Sequence, residues 1–220
     1  MEEFVELLLK GLMLEKGFTV DKEEKIETVK PFEGLSLVID VETNDMVVPE
    51  LGIEWEDQPY PIQLACELMK EDKVVQGLNV YIDWGDIKID SKALEVHGID
   101  KEKIKRLGVS PDEAFELFKQ LSSQADRIVG HNVEFDLFVM EVMYHRLNKP
   151  FDLRKKELVC TMLSLVDVLK LPGRSGYKWP KLKEAYEKLI GGTYGAHDAF
   201  EDVMACRKVY IWMLDNGIKI

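Results

Sequence analysis

Cysteine is scarce in this chain. The three present, Cys66, Cys160 and Cys206, show no paired spacing for a zinc motif or a disulfide framework, so a reducing, cytoplasmic compartment is expected. Long apolar runs are absent too: no segment reaches the roughly 20 residues that a membrane-spanning helix needs, and no membrane partner is expected. Met1-Glu2-Glu3 is the reverse of a basic leader, and Glu6, Lys10 and Glu15 interrupt the apolar residues that follow. Basic side chains are outnumbered, with 29 Lys and Arg against 41 Asp and Glu, for a net charge of −12. That balance disfavours a protein that coats a polyanion. The deficit is local, however. Residues 1–60 hold 16 acidic and 5 basic side chains, whereas residues 146–188 hold 11 basic and 5 acidic ones. No internal repeat occurs, and 220 residues at 46% hydrophobic content suffice for one sizeable core.

Against this background, three distant segments concentrate carboxylates and histidine. The first, Asp40-Val41-Glu42-Thr43, follows the apolar run Leu35-Ser36-Leu37-Val38-Ile39, which reads as a strand buried on both faces. Side chains two apart on a strand share a face, so Asp40 and Glu42 project together with Val41 turned away. Two such carboxylates repel and raise each other's pKa unless a divalent cation sits between them. An acidic turn after a strand is the competing reading.

The second segment, His131-Asn132-Val133-Glu134-Phe135-Asp136, leads from a short strand into a mostly apolar helix. Asp136 among apolar neighbours needs a partner, since an uncompensated buried charge costs several kcal/mol. His131 and Asn132 fit either a helix cap or a substrate contact, and Phe135 either core or a stacking face. The third, His197-Asp198-Ala199-Phe200-Glu201-Asp202, follows the glycine-rich stretch Gly191-Gly192-Thr193-Tyr194-Gly195-Ala196 and opens a long terminal helix. Asp198, with Glu201 three residues on, reads as the helix cap. His197 and Asp202 remain for chemistry: the histidine on a hinged loop to reach a water, the aspartate in the early helix to complete a metal shell.

Together these motifs resemble the DEDDh exonucleases of the ribonuclease H-like fold, from about Leu35 to the C-terminus. Asp40 and Glu42 match the first motif, Asp136 in HNxxFD the second, His197 and Asp202 in HDAxxDV the third, and Val96-His97-Gly98-Ile99 is similar to a segment many members carry before their central helix. The resemblance implies an α/β, ribonuclease H-like mixed five-stranded sheet flanked by helices over residues 34–220, and leaves residues 1–33 outside it as an N-terminal extension read from its own residues as helical and charged. It implies 3′ to 5′ release of nucleoside 5′-monophosphates, with DNA slightly favoured over RNA. Two Mg²⁺ or Mn²⁺ ions about 4 Å apart would be held by Asp40, Glu42, Asp136 and Asp202, with His197 as general base. The expected partner is a nucleic-acid 3′ end, contacted by Thr43, His131, Asn132, Phe135, Arg174 and Lys178 and lying along the basic stretch 146–188. The loop 171–180, with Tyr177, Trp179 and two cations, suits a single strand, although Trp179 could equally be buried in a connector.

Strands near 35–42, 61–69 and 74–83 read as an antiparallel meander, with further strands at 126–130 and near 158–160. Ser110-Pro111-Asp112-Glu113 starts a helix whose expected apolar stripe is Ala114, Leu117, Phe118 and Leu121, and Pro180 starts another through Leu182 and Tyr186. The resemblance does not extend to two segments. Residues 1–33 read as an amphipathic helix with Phe4, Leu7 and Leu8 on one face, and residues 45–60 as an acidic loop beside the catalytic strand end. Each is a candidate site cover, homo-oligomer contact or docking point for a polymerase or repair partner.

Overall fold

A computed structural model of the protein describes residues 32–220, so the expected N-terminal amphipathic helix lies outside the described residues. Strands β1 (Leu35–Thr43), β2 (Pro61–Lys70) and β3 (Lys73–Tyr81) form the expected meander, and β4 (Arg127–Gly130) and β5 (Glu157–Cys160) extend it. The sheet order is β3-β2-β1-β4-β5, with β1 antiparallel to β2 and parallel to β4, so the strand carrying the first motif is central. This is the mixed five-stranded sheet expected from the sequence.

Alternation along β1 decides what each face meets. Leu37, Ile39 and Val41 enter the larger core, against helix α3 (Pro111–Ser122) through Phe115 and Phe118 and helix α4 (Val133–Arg146) through Leu137 and Met140. Val38 enters the opposite core, against Ala199, Val203, Cys206 and Tyr210 of helix α8 (Ala199–Asp215). Full burial of each large apolar side chain contributes roughly 1.5–3 kcal/mol, which fixes the register of β1 and with it the face that Asp40 and Glu42 occupy. Helix α3 begins with the expected capping box, Ser110 with Glu113. Its buried stripe differs by one position: Phe115 is 2% exposed whereas Leu117 is 39% exposed. The larger ring takes the core because it stacks edge-on to Tyr144 and Phe151, at centroid distances of 5.2 and 6.2 Å.

The end of the sheet away from the first motif is closed by Arg127. Its guanidinium makes a two-pronged pair with Glu157, donates to the Tyr210 hydroxyl at 2.7 Å and lies 3.6 Å over the Phe32 ring. Strands β4 and β5, helix α8 and the start of the described chain are thus joined at one cation. Helices α1 (Ser91–His97) and α2 (Lys101–Leu107) follow β3 and are both capped by aspartates, Asp90 and Asp100. Short helices α5 (Thr161–Ser164) and α6 (Val166–Leu169), a hairpin of β6 (Pro172–Gly173) and β7 (Gly176–Tyr177), and helix α7 (Leu182–Leu189) lead to α8. No helix among the described residues is long and apolar enough to cross a membrane.

The acidic segment 45–60 is tied down. The Gln58 amide, almost fully buried, donates to the Val48 and Gly52 carbonyls, and Arg146 of α4 donates to the carbonyls of Glu56, Gln58 and Pro59 while lying 3.7 Å over the Tyr60 ring. These bonds leave Asp45, Met46 and Val47 on the wall of a cleft beside the end of β1.

Candidate active site

Asp40 and Glu42 lie on the α8 face of β1, as the alternation requires. Asp136, in the first turn of α4, accepts a hydrogen bond from the Val41 backbone N–H at 3.1 Å, which draws the second motif against the first. Asp202, near the start of α8, comes from the other side. Carboxylate oxygens of Glu42 and Asp202 and a ring nitrogen of His197 lie within 4.8 Å of one another. Segments separated by about a hundred residues of sequence therefore converge at one strand end.

The electrostatics of this cluster are unfavourable for protein alone. Burial, then the charges of Asp136, Asp202, Glu42 and Asp198, holds the Asp40 carboxyl well above the usual carboxylate range. Burial, then Asp202 and Asp198, pushes Glu42 up to about 7. Asp136 and Asp202 are raised by burial as well, although the Val41 N–H favours the charged form of the one and the Tyr194 hydroxyl and His197 N–H that of the other. No lysine or arginine among the described residues pairs with any of the four. An uncompensated group of hard oxygen ligands is the donor set that a divalent cation such as Mg²⁺ or Mn²⁺ takes.

The loop before α8 sets the third motif. His197 has a left-handed backbone (φ 72°), unusual outside glycine, and its N–H donates to Asp202 Oδ2 at 2.8 Å. Its exposed side chain is thereby held at the edge of the cluster. Asp198 caps α8 by accepting from the Phe200 and Glu201 N–H groups. Gln63, fully buried on β2 opposite Glu42, holds that cap: its amide donates to Asp198 at 3.2 Å and to Asn79 at 3.0 Å, and its carbonyl oxygen accepts from the Ala199 N–H at 3.2 Å. Sequence reasoning missed Gln63, although a glutamine between Ile62 and Leu64 in a buried strand was the available signal. It also missed Tyr194, whose hydroxyl faces the Asp202 carboxylate and whose ring packs on Tyr186 at 5.1 Å.

A cleft of about 700 Å³ opens beside Glu42. Thr43, Asn132 and Phe135, three of the expected substrate contacts, line it together with Met46, Val96, His97, Lys92 and Arg154. Thr43 is mostly buried and spends its hydroxyl on the Asp45 carbonyl, while Phe135 both packs on the core and faces the cleft. Asn132 stands at the N-cap of α4 in a left-handed conformation and makes no side-chain cap, so its amide is free to face the cleft.

The remaining three expected contacts lie off the cleft wall. Both ring nitrogens of His131 are engaged within the protein, with the Thr161 hydroxyl at 2.9 Å and the Pro180 carbonyl at 2.8 Å, which makes it a strut rather than a cleft residue. Lys178 is paired with Glu184 at 2.5 Å, and Arg174 is at the exposed tip of the β6-β7 hairpin. Much of the basic stretch is already neutralised: Lys149 pairs with Asp112 and Glu116, Arg154 with Glu134 and Glu141, and Lys155 with Asp152.

Comparison with known proteins bears on the family and the fold. A family model described as RNase_T, Exonuclease, matches residues 37–210. No curated protein matches the chain. Among solved structures, the fold resembles Escherichia coli exonuclease I in a zinc-bound complex with single-stranded DNA (TM-score 0.67, 19% identity, 82% of this chain and 40% of that one). It also resembles exonuclease I of Methylocaldum szegediense (TM-score 0.65, 19% identity, 83% and 40%). A third match is the E. coli enzyme bound to a dA16 oligonucleotide (TM-score 0.63, 20% identity, 82% and 40%). The chain spans about two fifths of the length of these proteins.

Proposed function

The chain belongs to the exonuclease family, and on that premise we propose that it removes nucleotides from the 3′ end of a nucleic acid, releasing nucleoside 5′-monophosphates with the help of two Mg²⁺ or Mn²⁺ ions. The observation that carries this reading is the convergence of Asp40, Glu42, Asp136, His197 and Asp202 at one end of one cleft. The donor set fits hard cations: four buried or half-buried carboxylates, all held above their ordinary pKa and none paired with a lysine or arginine among the described residues, with an imidazole at the rim.

Asp40, Glu42, Asp136 and Asp202 would hold the ions, which when bound would polarise the scissile phosphate and acidify a water. The chain's own part is to place the substrate and to deprotonate the attacking water. His197, its position set by the bond from its N–H to Asp202, takes the proton of the attacking water at its ring nitrogen as the water oxygen bonds phosphorus and the P–O3′ bond breaks, the departing 3′ oxygen gaining a proton from solvent. The cleft seats the terminal nucleotide, with Met46, Val96 and Phe135 offering apolar surface to the base and Lys92 offering charge to the phosphate. DNA is the first substrate to test, because solved structures with this fold include exonuclease I bound to single-stranded DNA.

Asp40→Asn and Asp202→Asn each remove one charge with almost no change of shape. Both variants are expected to lose nucleotide release by at least about a thousandfold, given that metal and electrostatic contributions amount to several kcal/mol. Their circular dichroism should match the parent. Either variant cleaving at the parental rate would overturn the assignment.

A further inference from the structure

The positive charge left over after internal pairing is concentrated on one segment. Residues 170–188 carry six cations, Lys170, Arg174, Lys178, Lys181, Lys183 and Lys188, against two acids, Glu184 and Glu187. Among the described residues only Lys178 of the six is in an ion pair. In a chain of net charge −12 this is a local excess of the sign a phosphate backbone requires.

Two large aromatics stand out of the same segment: Trp179 is 66% exposed and Tyr177 52%. The buried-connector reading of Trp179 is therefore excluded. The backbone presenting them is well defined. Pro172 pairs with Tyr177 and Gly173 with Gly176, the Lys178 N–H donates to the Leu171 carbonyl at 2.9 Å, and a side chain at Gly173 would crowd the Lys178 N at 3.1 Å. An exposed tryptophan two residues past this hairpin, in a segment with five cations free of ion pairs among the described residues, suits stacking of unpaired bases, which is sequence-tolerant because every base offers a flat face.

The patch is also joined to the cleft. The Pro180 carbonyl, one residue after Trp179, accepts from His131, one residue before the cleft-lining Asn132. The Trp179 backbone is thus on the order of 10–15 Å from the cleft wall, counting about 3.8 Å per residue. On the other side, Tyr186 of α7 packs on Tyr194 in the loop that carries His197.

We infer that the β6-β7 hairpin with Trp179, together with the free cations of residues 170–188, is a second nucleic-acid contact that holds the unpaired single strand upstream of the terminal nucleotide. The inference deepens the exonuclease reading and rests on it for the direction of the strand. It makes the preferred substrate a single-stranded tail several nucleotides long rather than a blunt duplex end or a dinucleotide.

The experiment compares the parent with Tyr177→Ala/Trp179→Ala and with Arg174→Glu/Lys183→Glu, all at exposed positions. Binding of fluorescent dT20 and rU20 is followed by anisotropy in EDTA, and hydrolysis of the p-nitrophenyl ester of thymidine 5′-monophosphate is measured with Mn²⁺. Each double variant is expected to weaken oligonucleotide binding roughly 10- to 100-fold, with a shallower salt dependence for the charge reversal, while hydrolysis of the one-nucleotide ester stays at the parental rate. Unchanged binding of both oligonucleotides would overturn the inference. Loss of binding in the variants, beside a parent that cleaves neither ester nor oligonucleotide, would retain the track and overturn the exonuclease reading.

Discussion

Glu42 is the residue at which the acidic cluster can be read without any substrate. It titrates at about 7 in the folded protein against an ordinary 4.5, because burial and the charges of Asp202 and Asp198 disfavour its ionised form. The folded state therefore binds this proton more tightly than the unfolded state does. The resulting stability is complete below about 4.5 and is lost as pH rises through 7. His131 works in the opposite sense: burial lowers it from 6.5 to about 4, so its contribution is complete above 6.5 and is lost as pH falls. His97 is shifted in the same direction as His131. The window from pH 8 down to 6.5 isolates the carboxylates. Metal-free protein is expected to gain thermal stability across that window, and saturating Mn²⁺ to remove the gain, since a bound cation favours the ionised ligands. A metal-free melting temperature that falls from pH 8 to 6.5 would contradict this description of the cluster. The raised carboxylates were legible in the sequence as an expectation from spacing. The roles of His131 and Lys178 were not, because nothing local to either residue specifies Pro180 or Glu184 as its partner.

At the scale of the element, α8 and β1 carry the site and small polar contacts fix how they meet. Gln63 pins the first turn of α8 through Asp198 and Ala199, and that turn carries His197 and Asp202. Gln63→Leu would leave the Asp198 carboxylate and the Ala199 N–H without this partner in a buried place, at a cost of about 1–3 kcal/mol in urea unfolding. Mn²⁺ affinity is expected to drop about tenfold, as supporting shells around metal ligands commonly do. Parental affinity in a stably folded variant would refute a positioning role. Arg127 supplies the contrasting case. It joins strand ends near Ser36, and Glu42 is six residues further along β1, roughly 20 Å at the rise of an extended strand. Arg127→Ala should cost about 2 kcal/mol, a figure moderated by the half-exposed Glu157, and leave kcat unchanged. A loss of kcat without loss of stability would show coupling along the strand that the geometry does not suggest.

The elements themselves were readable because hydrophobic period and caps both point to them. Strands β1, β2, β4 and β5 and the Ser110 and Asp198 caps stand within a residue or two of their expected places. Local pattern failed where tertiary packing arbitrates. Phe115 displaced Leu117 from the stripe of α3 because an aromatic cluster awaited it, and the left-handed Asn132 replaced a side-chain cap with a backbone turn. The segment 45–60 has no periodicity at all, and its order comes from Gln58 and Arg146, one of them about 90 residues away along the chain.

For the molecule as a whole, the puzzle of an acidic protein in an exonuclease family reduces to where charge is compensated. Arg146, Lys149 and Arg154 are held by carbonyls and carboxylates of the protein itself, whereas five cations of residues 170–188 have no ion pair among the described residues. Composition shows only the total; the pairing needs the fold. A substrate gripped by a few local cations and a metal cluster should bind with a shallow salt dependence. The slope of log affinity against log salt is expected to correspond to about two to four phosphates for single-stranded DNA, at roughly 0.7 per phosphate. A slope near that of a protein contacting ten phosphates would place much of the binding elsewhere.

The central claim is that three distant motifs form one site for removing a nucleotide from a 3′ end, and the first time points of cleavage test it most directly. Single-stranded DNA and RNA labelled on the 3′-terminal nucleotide would be incubated with Mn²⁺ or Mg²⁺ beside the His197→Ala protein. The account predicts that label appears first as a mononucleotide, and that release falls by about 10²- to 10⁴-fold in the variant through loss of the general base. Label appearing first in longer fragments, or undiminished release by His197→Ala, would contradict it.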